Sequence, residues 1–345
     1  MFHKLFKINI KFFRFKMILF LQFNNISVII YFNMSVVDNT TVNVNSAKSN
    51  DVFILIHDTY ILGKRLGKGS FGEVYMGKHK WSGKPVAIKL EPIDSKTRIL
   101  EHEYKVYQDI YHPNSGIVQC HYYGLEDDYA VLVIDLLGPS TGALLDKCNG
   151  VLGLKSVLMV ADQMITRLEY FHEHGFIHRD LKPDNMLIGR SHHQNQIFLI
   201  DFGLAKKFRN ADGMHIPFKE GGKLVGTARY ASVNSHLGYQ LSRRDDLISI
   251  GYILVYFAKG KLPWQKVRGK TKEEKYNNIR KLKQGLGSST ICSGLPKEFA
   301  QFLDYSLSLT FEQRPDYNFL KSLFKNLFRK SNFVYDLVFD WNQST

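Results

Sequence analysis

Cysteine is scarce in this sequence. The 345 residues hold three, Cys120, Cys148 and Cys292, far apart and odd in number. That excludes a disulfide scaffold, argues against a structural zinc site and fits a reducing compartment. Long apolar runs are also missing. The two best candidates, Met17–Phe32 and Asp245–Gly260, cover 16 residues each, and Gln22, Asn24, Asn25 and Ser27 interrupt the first. A membrane-spanning helix needs about 20 apolar residues. There is no internal repeat, no low-complexity tract and no RNA- or DNA-binding motif. Acids are absent from the first 33 residues, which carry five lysines and arginines. The whole chain has a formal net charge of +14. Such a balance favours anionic partners: nucleic acid, acidic membrane, phosphate or acidic peptide.

The N-terminal 1–33 reads as a basic and apolar extension. It is a weak membrane or targeting segment, a stretch upstream of a true start at Met34, or disordered padding; its poverty in serine speaks against a mitochondrial presequence. Membrane contact is expected only if 1–33 is present in the protein. Residues 34–56 read as a polar linker, rich in Asn, Ser and Thr over 35–51.

The stretch "YILGKRLGKGSFGEVYMGKHK" places Gly67, Gly69 and Gly72 between alternating apolar residues, a strand–glycine loop–strand pattern. Glycines let backbone N–H groups approach phosphate oxygens. More strands follow in place of a helix, which excludes a Rossmann unit. Val74 on the far strand is placed to cover an adenine ring. "KPVAIKL" then sets Lys89 on a β-type run, 17 residues after Gly72. "TRILEHEYKVYQDI" has helical periodicity, and its Glu103 could reach Lys89 and fix it beside phosphates. Taken singly, these are a hairpin turn, an outward strand lysine and a solvated helix glutamate.

"FIHRDLKPDNMLI" brackets a polar centre with apolar residues. Asp180 can accept the proton of an attacking hydroxyl, Lys182 can neutralise charge on a transferred phosphoryl group, and Asn185 can bind Mg²⁺. "IFLIDFG" ends a four-residue apolar strand on Asp201, 16 residues after Asn185, as a second Mg²⁺ ligand.

Together these motifs, in this order, resemble the eukaryotic protein kinase family. "LLGPS", "HIPF", "GTARYAS", "SRRDDL", "LPWQ" and "FDWN" narrow the resemblance to casein kinase I, over about residues 57–342. The resemblance implies an α+β, bilobal, protein-kinase-like fold. A small antiparallel sheet lobe with one helix (57–134) joins a larger, mainly helical lobe (140–342) through a hinge at 135–139. ATP and Mg²⁺ are the implied cofactors. The nucleotide would contact Leu66, Gly67, Lys68, Gly69, Ser70, Phe71, Gly72, Val74, Ala87, Lys89, Asp135, Leu137 and Asp201. Lys182 implies serine/threonine specificity. His178 is expected to pack near Phe202, and Asp246 to hold the catalytic-loop backbone.

From Leu204 to Gly226 there is no serine, threonine or tyrosine. Phosphorylation therefore has no acceptor with which to order this segment. It must be ordered by its own packing or by an outside anion. In the family resembled, that anion is a phosphate already on the substrate, held by Arg229 and Lys275 with Gln265 nearby. Lys223 is added on spacing alone. Acidic or pre-phosphorylated proteins are the expected substrates, with no nucleic-acid partner and a monomeric state. The chain is expected in the cytoplasm, with the nucleus as a second site that Glu273 and Glu274 disfavour by diluting a basic cluster.

Two departures stand out. Gly142 and Ala143 occupy the place of an acidic pair, so weaker contacts to the ribose hydroxyls are expected. The chain stops at Thr345, four residues after Trp341, without an autoinhibitory tail, so constitutive activity is expected. The alternative is a catalytically silent interaction module on the same fold, which the presence of Lys89, Glu103, Asp180, Asn185 and Asp201 disfavours.

Overall fold

A computed structural model describes residues 10–13, 16–23, 26–33, 54–69, 72–95 and 98–343. Residues 1–9, most of the linker, and the loop-tip candidates Ser70 and Phe71 lie outside the described residues. Within the basic extension, β1 (Ile10–Phe13), β2 (Lys16–Phe23) and β3 (Ile26–Asn33) form an antiparallel sheet in the order β1-β2-β3. Among the described residues no helix is long and apolar enough to cross a membrane.

Six strands build the next sheet: β4 (Leu55–Ile56), β5 (Tyr60–Gly69), β6 (Gly72–His79), β7 (Pro85–Pro92), β8 (Cys120–Glu126) and β9 (Tyr129–Asp135). Their order is β4-β5-β6-β7-β9-β8, all antiparallel. Period-2 alternation gives each strand two faces. Val86, Ile88, Val131 and Val133 bury one face with Ile56 and Tyr60. Ala130 and Leu132 point the other way and join Leu100, Val106 and Tyr107 of α1 (Ile99–Ile110). Each such buried aliphatic side chain is worth about 1.5–3 kcal/mol relative to exposure.

The second lobe is mainly helical. It contains α2 (Thr141–Lys147), α3 (Leu154–Glu173), α4 (Val233–His236), α5 (Arg243–Lys259), α6 (Lys272–Gly285), α7 (Ser288–Ile291), α8 (Lys297–Ser308), α9 (Tyr317–Lys330) and α10 (Asp340–Gln343). Two short ribbons flank the polar loop: β10 (Phe176–Ile177) pairs with β13 (Lys206–Lys207), and β11 (Met186–Ile188) with β12 (Ile197–Leu199). The strand before Asp201 is one residue shorter than its four apolar residues suggest, although the Ile200 N–H still donates to the Asn185 carbonyl in register with the ribbon.

The apolar stretch beginning at Asp245 is a buried helix rather than a membrane span. A capping box starts α5: Ser242 N–H donates to Asp245 Oδ2 at 2.8 Å. Gly260, at φ 67°, ends it. Ile248, Ile250, Ile253, Leu254 and Phe257 share one core with α3 and with Phe202. The antiparallel sheet lobe and helical lobe are the α+β bilobal architecture expected from the sequence.

Candidate active site

The site forms where the sheet lobe meets the loops between β10 and β13. Lys89 lies opposite Val74 in the β6–β7 register, and Ala87 opposite Ile134 in the β7–β9 register. Ala87 is buried and Leu66 exposed. Gly67 and Gly69 face Val74 and Gly72 across the hairpin, with Lys68 opposite Glu73. Gly72 has φ 146°, and a Cβ there would fall 2.0 Å from the Leu90 carbonyl oxygen. The strand can pass that close only without a side chain. Lys68 Nζ sits 3.2 Å from Glu73, so this loop cation is already paired.

Lys89 Nζ is 2.6 Å from Glu103 Oε2 and 3.0 Å from Asp201 Oδ1. Glu103, a solvated residue on the bland reading, is buried. Burial by itself would neutralise Lys89, but the two carboxylates outweigh it and hold the lysine pKa above its ordinary value. Burial likewise opposes ionisation of Asp201, and Lys89 overcomes it, leaving that carboxyl below its usual range. Burial holds the Glu103 carboxyl above its ordinary value although Lys89 opposes this, so the point is a fixed ammonium bonded to two carboxyl groups.

Asp201 adopts a left-handed backbone, φ 67° and ψ 70°, which turns the chain from β12 into the next turn. Phe202 is fully buried against Tyr107, Phe171 and His178. His178 and Phe202 meet edge to face at 5.7 Å, as expected from the sequence. Asp246, at the start of α5, accepts from His178 N–H at 2.7 Å and Arg179 N–H at 2.9 Å. It also meets His172 Nε2 at 3.0 Å, and His172 Nδ1 lies 2.6 Å from the Tyr317 hydroxyl. Those backbone bonds hold Arg179 in its left-handed conformation, φ 69°.

That strained turn presents Asp180. Its Oδ2 is 2.8 Å from Lys182 Nζ, and its carbonyl accepts from Asn185 Nδ2 at 3.0 Å. Its Oδ1 accepts twice from Thr227, from the backbone N–H at 2.8 Å and the hydroxyl at 2.7 Å. Nothing in the sequence around Thr227 announces this contact, which spans 47 positions.

Asn185 and Asp201 lie on neighbouring segments, joined by the Ile200 N–H to Asn185 carbonyl bond at 3.1 Å. Among the described residues no three His, Cys, Asp or Glu side chains cluster as a metal site. An amide oxygen and a carboxylate suit Mg²⁺ whose remaining positions are filled by phosphate oxygens and water, not a protein cage. The donor set fits that ion.

At the end of β9, the Asp135 side chain is already committed. It meets His121 at 2.8 Å and Lys84 at 2.9 Å, and accepts from Gln119 N–H at 3.0 Å. Burial raises its pKa, and these donors more than reverse that, holding it well below the ordinary range. Leu137 is half-buried beside the main core. The N-cap of α2 is Ser140, which accepts from Ala143 N–H at 3.2 Å. A Cβ on Gly142 would sit 3.5 Å from Asp184 Oδ1.

The hydroxyl-free segment is ordered by its own packing. Ile216 and Val225 pack with Ile177, Phe208 and Leu241. Ser235 Oγ takes Val225 N–H at 3.1 Å and donates to its carbonyl at 2.7 Å. Gly222 N–H donates to Gly238 O at 2.8 Å. A Cβ on Gly238, where φ is 73°, would lie 2.1 Å from the Gly222 oxygen, so the two backbones touch directly.

Arg229 is exposed, with its guanidinium over the Tyr230 and Tyr256 rings. Its carbonyl accepts from Trp264 Nε1 at 2.7 Å, which puts the Gln265 segment beside it. Gln265 itself caps Leu262 N–H at 3.2 Å. Lys283 Nζ, buried on α6 and missed in the sequence, donates to Ala228 O at 2.9 Å and to Ala231 O. Lys275 lies two turns earlier on the same helix, exposed. Lys223 is exposed, and no contact ties it to this group among the described residues.

A family model, the protein kinase domain, matches residues 60–326. That span runs from the start of the glycine hairpin into the α9 helix. The chain belongs to the protein kinase domain family.

Proposed function

We propose that the chain is a serine/threonine protein kinase of casein kinase I type, transferring the γ-phosphate of ATP to acidic or pre-phosphorylated proteins. One observation carries the reading: the activation segment is packed around Val225 and the Gly222–Gly238 contact with no phosphorylatable side chain from Leu204 to Gly226. Such an enzyme needs no activating kinase. Arg229, Lys223 and Lys275 are exposed and can meet an anion on the substrate.

The parts take the following roles. Gly67, Gly69 and Gly72 bring the hairpin backbone over the phosphates, and Val74, Ala87 and Leu137 cover the base. Asp135 contributes through its main chain, since its carboxylate is held by Lys84 and His121. Lys89 holds the α- and β-phosphates, and Glu103 keeps it in place. Asn185 and Asp201 would hold Mg²⁺, which would supply charge neutralisation at the phosphates. Asp180 takes the proton as the substrate hydroxyl oxygen bonds to the γ-phosphorus. The bond from that phosphorus to the bridging oxygen breaks, and ADP leaves. Lys182 neutralises charge on the moving group.

Arg229 and Lys275, with Gln265 and Lys223 close in sequence to the same surface, would receive the priming phosphate. The test compares a peptide phosphorylated three residues before its acceptor serine with the same peptide unphosphorylated. Arg229→Ala plus Lys275→Ala is expected to lower kcat/KM about tenfold or more on the primed peptide alone. An unchanged primed-to-unprimed ratio overturns the pocket assignment.

A further inference from the structure

Glu91 is a buried carboxylate, 2% exposed, that no role above uses. It lies two residues after Lys89 on β7, so both side chains leave the same face of the strand. That face looks at α1. Glu91 Oε2 accepts from Leu100 N–H at 2.9 Å, and Oε1 from Ile99 N–H at 3.3 Å and the Ser95 hydroxyl at 3.0 Å.

A helix begins with N–H groups that have no partner inside it. Usually Ser, Thr, Asp or Asn at the N-cap supplies one. Here the N-cap is Arg98, which makes no side-chain cap bond. The acceptor comes from another element, and it carries the charge that the helix N-terminus favours. Beside it a cavity lined by Pro92, Ile93, Arg98, Tyr123 and Leu125 opens, so this end of α1 is not packed over on that side. Glu103, four residues after Ile99, stands about one turn further along the same helix. Strand β7 thus grips α1 twice, through Glu91 at its start and through Lys89 at Glu103.

We infer that Glu91 is a positioning residue for phosphoryl transfer: by capping α1 from β7 it sets the height and rotation of that helix, and so the Glu103–Lys89 contact. This rests on the reading of Lys89 as the phosphate-binding lysine.

The test uses the full chain with Glu91→Ala, Glu91→Gln, Lys89→Met and the pair Glu91→Ala with Arg98→Asp. Readouts are kcat, KM for ATP and for peptide, and amide exchange of 99–103. Glu91→Ala should lower kcat/KM for ATP on the order of tenfold, the factor a lost helix cap carries, and speed exchange in the first turn of α1. The peptide KM should not move. Arg98→Asp, which gives the helix its own cap, should recover most of both losses. Glu91→Gln, with one acceptor oxygen and no charge, should fall between, and serves where Glu91→Ala does not fold. The inference is overturned if the Glu91 variants keep ATP kcat/KM within about twofold of wild type while Lys89→Met abolishes it. It is equally overturned if Arg98→Asp restores slow exchange but not activity. If Lys89→Met is itself fully active, the underlying reading of Lys89 fails instead.

Discussion

Thr227 gives both of its donors to one oxygen of Asp180, the N–H at 2.8 Å and the hydroxyl at 2.7 Å. The first hydroxyl after the bare segment is therefore the one that fixes the proposed base. Removing only the hydroxyl, in Thr227→Val, should lower kcat about tenfold, the effect of one lost charge-assisted hydrogen bond. Thr227→Ser should retain most activity. Steady-state kinetics on a peptide substrate reads both, and equal kcat in all three proteins contradicts the role.

Lys89 and Glu103 form a pair in which the carboxylate has only 2% of its side chain exposed. Taking away the ammonium leaves an uncompensated buried charge. Lys89→Met should destabilise the fold by about 3–5 kcal/mol, and Glu103→Gln in the same chain should recover much of that. Urea melts of the single and double variants measure it. Neither variant should transfer phosphate.

Gly142 and Ala143 sit in the first turn of α2, behind the Ser140 cap. A carboxylate returned at 143 should lower the KM for ATP by about tenfold, the size of a charge-assisted hydrogen bond to a ribose hydroxyl. Gly142→Glu should do less, because Asp184 Oδ1 lies 3.5 Å from its Cβ position and repels it. Deoxy-ATP controls should erase the gain.

His236 is pushed down from 6.5 to about 4, chiefly by burial, and burial also holds the neighbouring Lys283 well below the ordinary lysine value. Its folded pKa is lower than its unfolded one, so the unfolded chain binds more protons in between. Stability should therefore be full above pH 6.5 and be lost as pH falls towards 4. Thermal melts across that window should show a shallower fall for His236→Gln than for wild type. Parallel curves would contradict the shift.

Much of the site was legible because phosphate chemistry restricts the residue types. Glycines in a hairpin, a strand lysine, and Asp180, Asn185 and Asp201 in order leave few other readings. The rest depends on packing across long sequence separations. Glu103 taken singly reads as a surface residue; only its place after the strand lysine pointed it to Lys89, where the structure puts it. Lys283 sits in the polar run of α6, yet it is buried over the Tyr252 and Trp264 rings and bonds Ala228 and Ala231. A lysine on a polar helix gives no sign of such a cage. Glu91 reads as an ordinary strand-end charge, because its partners are backbone N–H groups that any sequence would supply. That the Asp135 side chain is tied to His121 and Lys84 depends on residues 14 and 51 positions away, which no local pattern announces. The network through Tyr317, His172 and Asp246 joins residues 145 and 74 positions apart, beyond any local pattern.

Label transfer from γ-labelled ATP to casein in Mg²⁺, wild type beside Asp180→Asn, tests the central claim most directly. If Asp180 receives the proton, wild type should label casein on serine and threonine, with the variant reduced at least about a hundredfold. Equal labelling by both proteins, or none by wild type, would show that this carboxylate does not receive the proton and that the cleft does not carry out the transfer.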